Sequence, residues 1–159
     1  MTINRTGSGF PWVDSRSPAE DLPLEPRIVR PRILIVDDEA NHARVMSIGL
    51  ELEGFEVKTA ADSSQALALL GTGSFDLAVV DLMMPGTNGI QLARLLREQH
   101  PRTRVVLTSA YHLSEPQLLH ADCGAVGFVP KPFDIMELAS FLRGKLACGH
   151  PVNARGAAA

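Results

Sequence analysis

Leu77-Ala78-Val79-Val80-Asp81-Leu82-Met83-Met84-Pro85-Gly86 is the stretch on which the fold turns. A short apolar run ends in a single acid, and a Pro-Gly pair follows almost at once. The run is too short for a helix and suits a buried strand, and Pro85-Gly86 marks the loop after it. Asp81 is thereby placed where a strand meets its loop. In an open α/β sheet that edge is where ligands bind.

Working outward, the same grammar repeats. Arg32-Ile33-Leu34-Ile35-Val36 is a β-branched apolar run that stops at Asp37-Asp38-Glu39. A helix is expected from about Glu39 to Glu53, with Asp38 as its N-cap, Ala43, Met46 and Leu50 on one stripe, and Gly54 as its stop. Phe55 to Ala60 alternates apolar and polar residues, which suits a half-exposed edge strand. Asp62 starts a short helix to about Leu70. After the Asp81 strand, Thr87-Asn88-Gly89 opens a helix over about Ile90 to Gln99, with Leu92, Leu95 and Leu96 inward. Arg104 to Ser109 forms a fourth strand. A helix of about Glu115 to Asp122 follows, then a strand over Ala125 to Val129. Pro130-Lys131-Pro132 is a turn, and a last helix spans about Asp134 to Leu146 on a stripe of Ile135, Leu138, Leu142 and Leu146. Five strands alternating with five helices imply a parallel sheet covered on both faces.

The chain divides into a Pro-rich arm (1–30), one domain (31–147) and an Ala/Gly-rich tail (148–159). Pro11, Pro18, Pro23 and Pro26 interrupt regular structure in the arm, whose Phe10-Pro11-Trp12-Val13 holds the only Trp. The 159 residues, 45% hydrophobic, suffice for one core. A net charge of −3 gives no basic footprint for nucleic acid. No apolar run approaches the roughly 18 residues of a membrane span, and no export signal is visible, so a cytoplasmic protein is expected. Cys123 and Cys148 form no metal or disulfide spacing; Cys123 suits a small apolar filler. The five histidines, His42 among them, share no spacing and are expected at the surface.

A parallel sheet carries all its strand C-terminal ends to one edge. Asp37, Asp38, Asp81, Thr108, Ser109 and Lys131 meet there. Three crowded carboxylates repel and raise each other's pKa, and a divalent cation relieves this. Hard oxygen donors of this kind suit Mg²⁺. A solvated acidic cap with a plain Lys131–Asp81 ion pair explains each residue singly, but not their agreement at four strand ends.

Ile33 to Glu39, Asp81 to Gly86, Ser109-Ala110 and Lys131-Pro132-Phe133 together resemble the receiver domain of bacterial two-component response regulators, over about residues 31–147. The resemblance implies a flavodoxin-like sheet of order 2-1-3-4-5. It implies that Asp81 is the phosphoacceptor for a histidine kinase or histidine phosphotransfer protein. Asp38, Asp81 and the Met83 carbonyl would hold Mg²⁺ directly, Asp37 through water, and Lys131 would neutralise the phosphoryl oxygens. Ser109, 22 residues before Lys131, fits the family's switch hydroxyl, whereas Thr108 points to the other face. Phe128 takes the place of the switch aromatic. Ser for the commoner Thr, and Asn88 for a frequent Asp, leave the chemistry intact.

The expectation is a stand-alone regulator that is no enzyme beyond its own phosphorylation and dephosphorylation. Its output is expected by protein contact over about residues 115–146. An aspartyl phosphatase would want a second acid at position 83, which is Met. The alternative is a constitutive binding module whose arms carry the output.

Overall fold

A computed structural model describes residues 28–86, 88–111, 117 and 122–148. The elements run β1 (Arg32–Val36), α1 (Ala40–Leu52), β2 (Glu56–Ala60), α2 (Ser63–Thr72), β3 (Leu77–Asp81), α3 (Gly89–Gln99), β4 (Arg104–Ser109), β5 (Gly127–Pro130) and α4 (Ile135–Ala147). The strands form one sheet of order β2-β1-β3-β4-β5, every pair parallel. This is the flavodoxin-like order. The helix expected over 115–122 falls outside the described residues except for Gln117, which is helical, and Asp122. The Pro-rich arm and the tail also lie almost wholly outside them.

Strand alternation divides the core into two. Leu34, Val36, Ala78, Val80, Val105 and Leu107 pack on one face with Ala66 and Leu70 of α2 and Leu92 and Leu96 of α3. Ile33, Ile35, Leu77, Val79 and Val106 pack on the other with Ala43, Met46 and Leu50 of α1 and Leu138 and Leu142 of α4. Because successive side chains point to opposite faces, the central strands must be apolar at every position, which is why they read as unbroken apolar runs. β2 lies at an edge and buries only Val57, on the α1 and α4 face, and Ala60, on the α2 and α3 face. Each fully buried Leu or Ile side chain contributes roughly 1.5–3 kcal/mol by leaving water.

Local signals set most boundaries. The carboxylate of Asp62 caps α2 by accepting the Gln65 amide, and Asp134 caps α4 by accepting the Met136 and Glu137 amides. Asn88 caps α3 through the Gln91 amide. Gly54 turns the chain after α1 with φ +94, a left-handed conformation that a Cβ disfavours. Small differences from the sequence reading lie at a few positions. Leu95 is only half-buried, and Ala93 takes the inward place beside Leu92 and Leu96. α2 runs through Gly71 to Thr72. On the α4 stripe Leu138, Ala139 and Leu142 are buried, whereas Ile135 and Leu146 are half-buried at its ends.

Candidate phosphoacceptor site

Backbone hydrogen bonds continue past the strand ends and bring the chemical groups together. The Asp37 amide donates to the Ala60 carbonyl (3.1 Å), the Leu82 amide to Thr108 (2.8 Å) and the Lys131 amide to Ser109 (2.8 Å). Asp37 is therefore held beside β2, the end of β3 beside β4, and Lys131 beside β4. Gly89 opens α3 directly over this edge: a Cβ there would lie 2.5 Å from the Asp81 carbonyl oxygen and 2.9 Å from the Leu82 Cα. Only glycine permits that approach.

Asp37 is buried, Asp81 is 8% exposed, and Asp38 is exposed at the mouth of the site. One carboxylate oxygen from each lies within 4.8 Å of the others. The Lys131 ammonium donates to Asp81 Oδ2 at 2.9 Å and to Asp37 Oδ2 at 3.2 Å. Asp81 Oδ1 accepts the Met83 amide at 3.0 Å, so the loop turns back on the acid that precedes it. The donor set is all oxygen, anionic and preformed, which fits a small hard dication such as Mg²⁺.

The expectation that crowding raises these pKa values fails at Asp37. Burial pushes its carboxyl up. Hydrogen bonds from His42 and from the Glu39 amide, with the Lys131 charge, outweigh burial and hold it below the ordinary value. Burial likewise pushes Lys131 down, and its hydrogen bond to Asp81 and the charges of Asp37 and Asp81 leave it above the ordinary value.

Two expectations are corrected. Asp38 does not cap α1. Glu39 occupies the N-cap position without a side-chain bond, and Asp37 Oδ1 accepts the Glu39 amide at 2.9 Å. Once the Asp37 side chain reaches forward, Asp38 is left facing solvent. His42 is not a bystander on the surface. Its Nδ1 lies 2.5 Å from Asp37 Oδ2, and its ring sits 6.0 Å from that of Phe133. The signal that could have found it is its place four residues after Asp38, one helical turn from the acid pair.

Ser109 and Thr108 are both buried. By alternation Ser109 belongs with Val105 and Leu107, and Thr108 with Val106 on the opposite face. Ser109 Oγ accepts the Tyr111 amide at 3.0 Å. Phe128 is half-buried, pairs in register with Leu107, and packs on the same cluster. The Met83 and Tyr111 side chains are exposed, at 59% and 65%. Cys123 is buried and Cys148 exposed, and neither forms a disulfide. Among the described residues no helix is long and apolar enough to cross a membrane.

The family model of the response regulator receiver domain matches residues 33–143. The chain is 39% identical over 119 residues to the transcriptional regulatory protein CpxR of Escherichia coli, covering 75% of this chain and 50% of that one. It is 36% identical over 114 residues to the uncharacterized transcriptional regulatory protein YkoG of Bacillus subtilis, covering 72% and 50%. This chain thus spans about half the length of these two relatives. Among solved structures it is similar to a CheY-like receiver domain protein of Methanospirillum hungatei, with TM-score 0.69, 29% identity, and 74% and 94% of the two chains covered. It is also similar to the response regulator TrrA of Thermotoga maritima in complex with Mg²⁺–BeF, with TM-score 0.65, 33% identity, and 73% and 98% covered. With an acid pair, a strand-end Asp and a bridging Lys on a sheet of this order, the chain belongs to the response regulator receiver domain family.

Proposed function

We propose that Asp81 accepts a phosphoryl group from a histidine kinase or histidine phosphotransfer protein, and that the acyl phosphate switches a protein-contact surface. The observation that carries this is the Lys131 ammonium bridging Asp81 and Asp37 beside the exposed Asp38. An Asp81 carboxylate oxygen attacks phosphorus, the P–N bond to the donor imidazole breaks, and its electron pair stays on that nitrogen. Lys131 faces the position where the phosphoryl oxygens arrive and offsets their charge. Asp38, Asp81 and the Met83 carbonyl would hold Mg²⁺ directly and Asp37 through water. When bound, the ion neutralises charge on the transferring group. The protein is a phosphoacceptor, and the only reactions it promotes are its own phosphorylation and dephosphorylation.

Output runs through Ser109 and Phe128 to β5, α4 and the 115–122 segment. Val126 and Met136, 39% and 69% exposed, are apolar contacts available on that side. CpxR and YkoG are named as transcriptional regulators, so output on DNA is the second reading. The net charge of −3 favours protein contact for this chain. Incubation with acetyl phosphate and Mg²⁺, read by intact mass, should add one phosphoryl group to wild type and none to Asp81→Asn. Undiminished label on Asp81→Asn overturns the assignment. A mobility shift of promoter DNA by the phosphorylated chain would favour the second reading.

A further inference from the structure

We propose that His42 is a positioning residue that pins the Asp37 carboxylate for divalent-cation binding. The proposal rests on the reading of Asp37, Asp38 and Asp81 as a cation site. An ionised carboxylate oxygen can only accept, so the His42 nitrogen 2.5 Å from Asp37 Oδ2 carries the proton. Three donors then hold Asp37: the Glu39 amide on Oδ1 at 2.9 Å, and His42 and Lys131 together on Oδ2.

These donors differ in permanence. The Glu39 amide is fixed by the start of α1. Lys131 also binds Asp81 and turns toward the phosphoryl oxygens when they arrive. His42 has no such second task. Its ring is seated on α1 and against Phe133 of the turn after β5. It therefore keeps Oδ2 oriented when Lys131 is drawn away. Hydrogen-bond partners of metal ligands fix their orientation, and losing one typically weakens metal binding by 10–100-fold; Asp37 would act through water, so the low end of that range applies.

The contact also joins two elements distant in sequence. Through His42, the first turn of α1 is tied at once to the acid pair and to the Lys131-Pro132-Phe133 turn. The bond is an addition to the machinery of Asp81 and Lys131.

The test compares Mg²⁺ dissociation constants, by calorimetry on the full chain, for wild type, His42→Phe and His42→Asn. Phe keeps a ring against Phe133 and loses the donor. Asn places an amide nitrogen near the position of Nδ1 and loses the ring. His42→Phe should weaken Mg²⁺ binding about tenfold, and His42→Asn should stay within about threefold of wild type. If His42→Phe does not fold, as judged by its melting transition, His42→Leu is read in its place. Wild-type affinity in His42→Phe overturns the proposal, as does equal weakening in both variants, because a donor retained at position 42 would then not preserve binding. Failure of wild type to bind Mg²⁺ overturns the cation site itself, and this proposal with it.

Discussion

The Lys131 ammonium reaches the Asp81 carboxylate at 2.9 Å across 50 residues of sequence, and it carries Asp37 at 3.2 Å on the same three protons. Only 17% of the Lys131 side chain is exposed. Its neighbours raise its pKa above the ordinary 10.5, against the burial that lowers it. Stability from this group is therefore fully present below pH 10.5 and is lost as pH rises through the higher folded value. Asp37 has the opposite sign. Its folded pKa lies below the ordinary 3.8, so its contribution is present above pH 3.8 and is lost as pH falls through the lower folded value. Both contributions are intact between pH 3.8 and 10.5, where these two groups should leave urea midpoints flat. In Lys131→Met the alkaline fall above pH 10.5 should shrink. An identical alkaline limb in that variant would show that other groups cause it.

Gly89→Ala should strain the backbone of Asp81, the proposed phosphoacceptor, directly. The new methyl would meet the Asp81 carbonyl oxygen at 2.5 Å, and that oxygen is backbone with little freedom to yield. A loss of roughly 1–3 kcal/mol is expected in urea unfolding, with slower labelling by acetyl phosphate in the fraction that remains folded. Wild-type stability would mean that α3 shifts away without cost.

Ser109→Ala should separate phosphorylation from output. The Ser109 hydroxyl accepts the Tyr111 amide and keeps its own proton for donation. A phosphoryl oxygen on Asp81 would take that proton in a charge-assisted bond. The pull on β4 frees space for Phe128, which lies beside Leu107 on the neighbouring strand. Ser109→Ala should therefore still label on Asp81, with amide shifts over β5 and α4 largely absent on beryllofluoride binding. Wild-type shifts there would sink the coupling, because a ligand shifts a population only by differential interaction.

The lifetime of the acyl phosphate should be long. Water must approach in line with the bond to Asp81, and the exposed Met83 and Tyr111 side chains occupy the loops after β3 and β4 on that side. Neither is a carboxylate or amide that orients a water. Met83→Asn with Tyr111→Glu should speed decay of phospho-Asp81 by about tenfold at fixed Mg²⁺. Unchanged or slower decay would show that these positions do not govern water access.

Much of this molecule was legible in its residues because the relevant signals are local. Ile33–Val36, Leu77–Val80 and Val105–Leu107 are apolar at every position because both faces are covered, and β2 leaves Glu56, Lys58 and Thr59 exposed because it is an edge. Asp37, Asp81 and Lys131 are conspicuous because each interrupts or follows such a run at a strand end. Caps at Asp62, Asn88 and Asp134 follow from a side chain reaching an amide two or three residues ahead.

The cap of α1 and the role of His42 were not legible, for one physical reason. Which oxygen of Asp37 meets Glu39, His42 or Lys131 depends on how the ends of β1, β3 and β5 are brought together by backbone pairing between segments up to 94 residues apart. A local rule sees Asp38 before a helix and makes it a cap. In the folded chain Asp37 already satisfies the Glu39 amide, and Asp38 faces solvent. Residue type and spacing by themselves determined the strands and helices among the described residues, the two buried faces, and Asp37, Asp38, Asp81, Ser109 and Lys131 at the sheet edge. Tertiary structure alone decided how those groups share protons and charge, because hydrogen bonds between side chains depend on ångström-scale distances that periodicity does not encode.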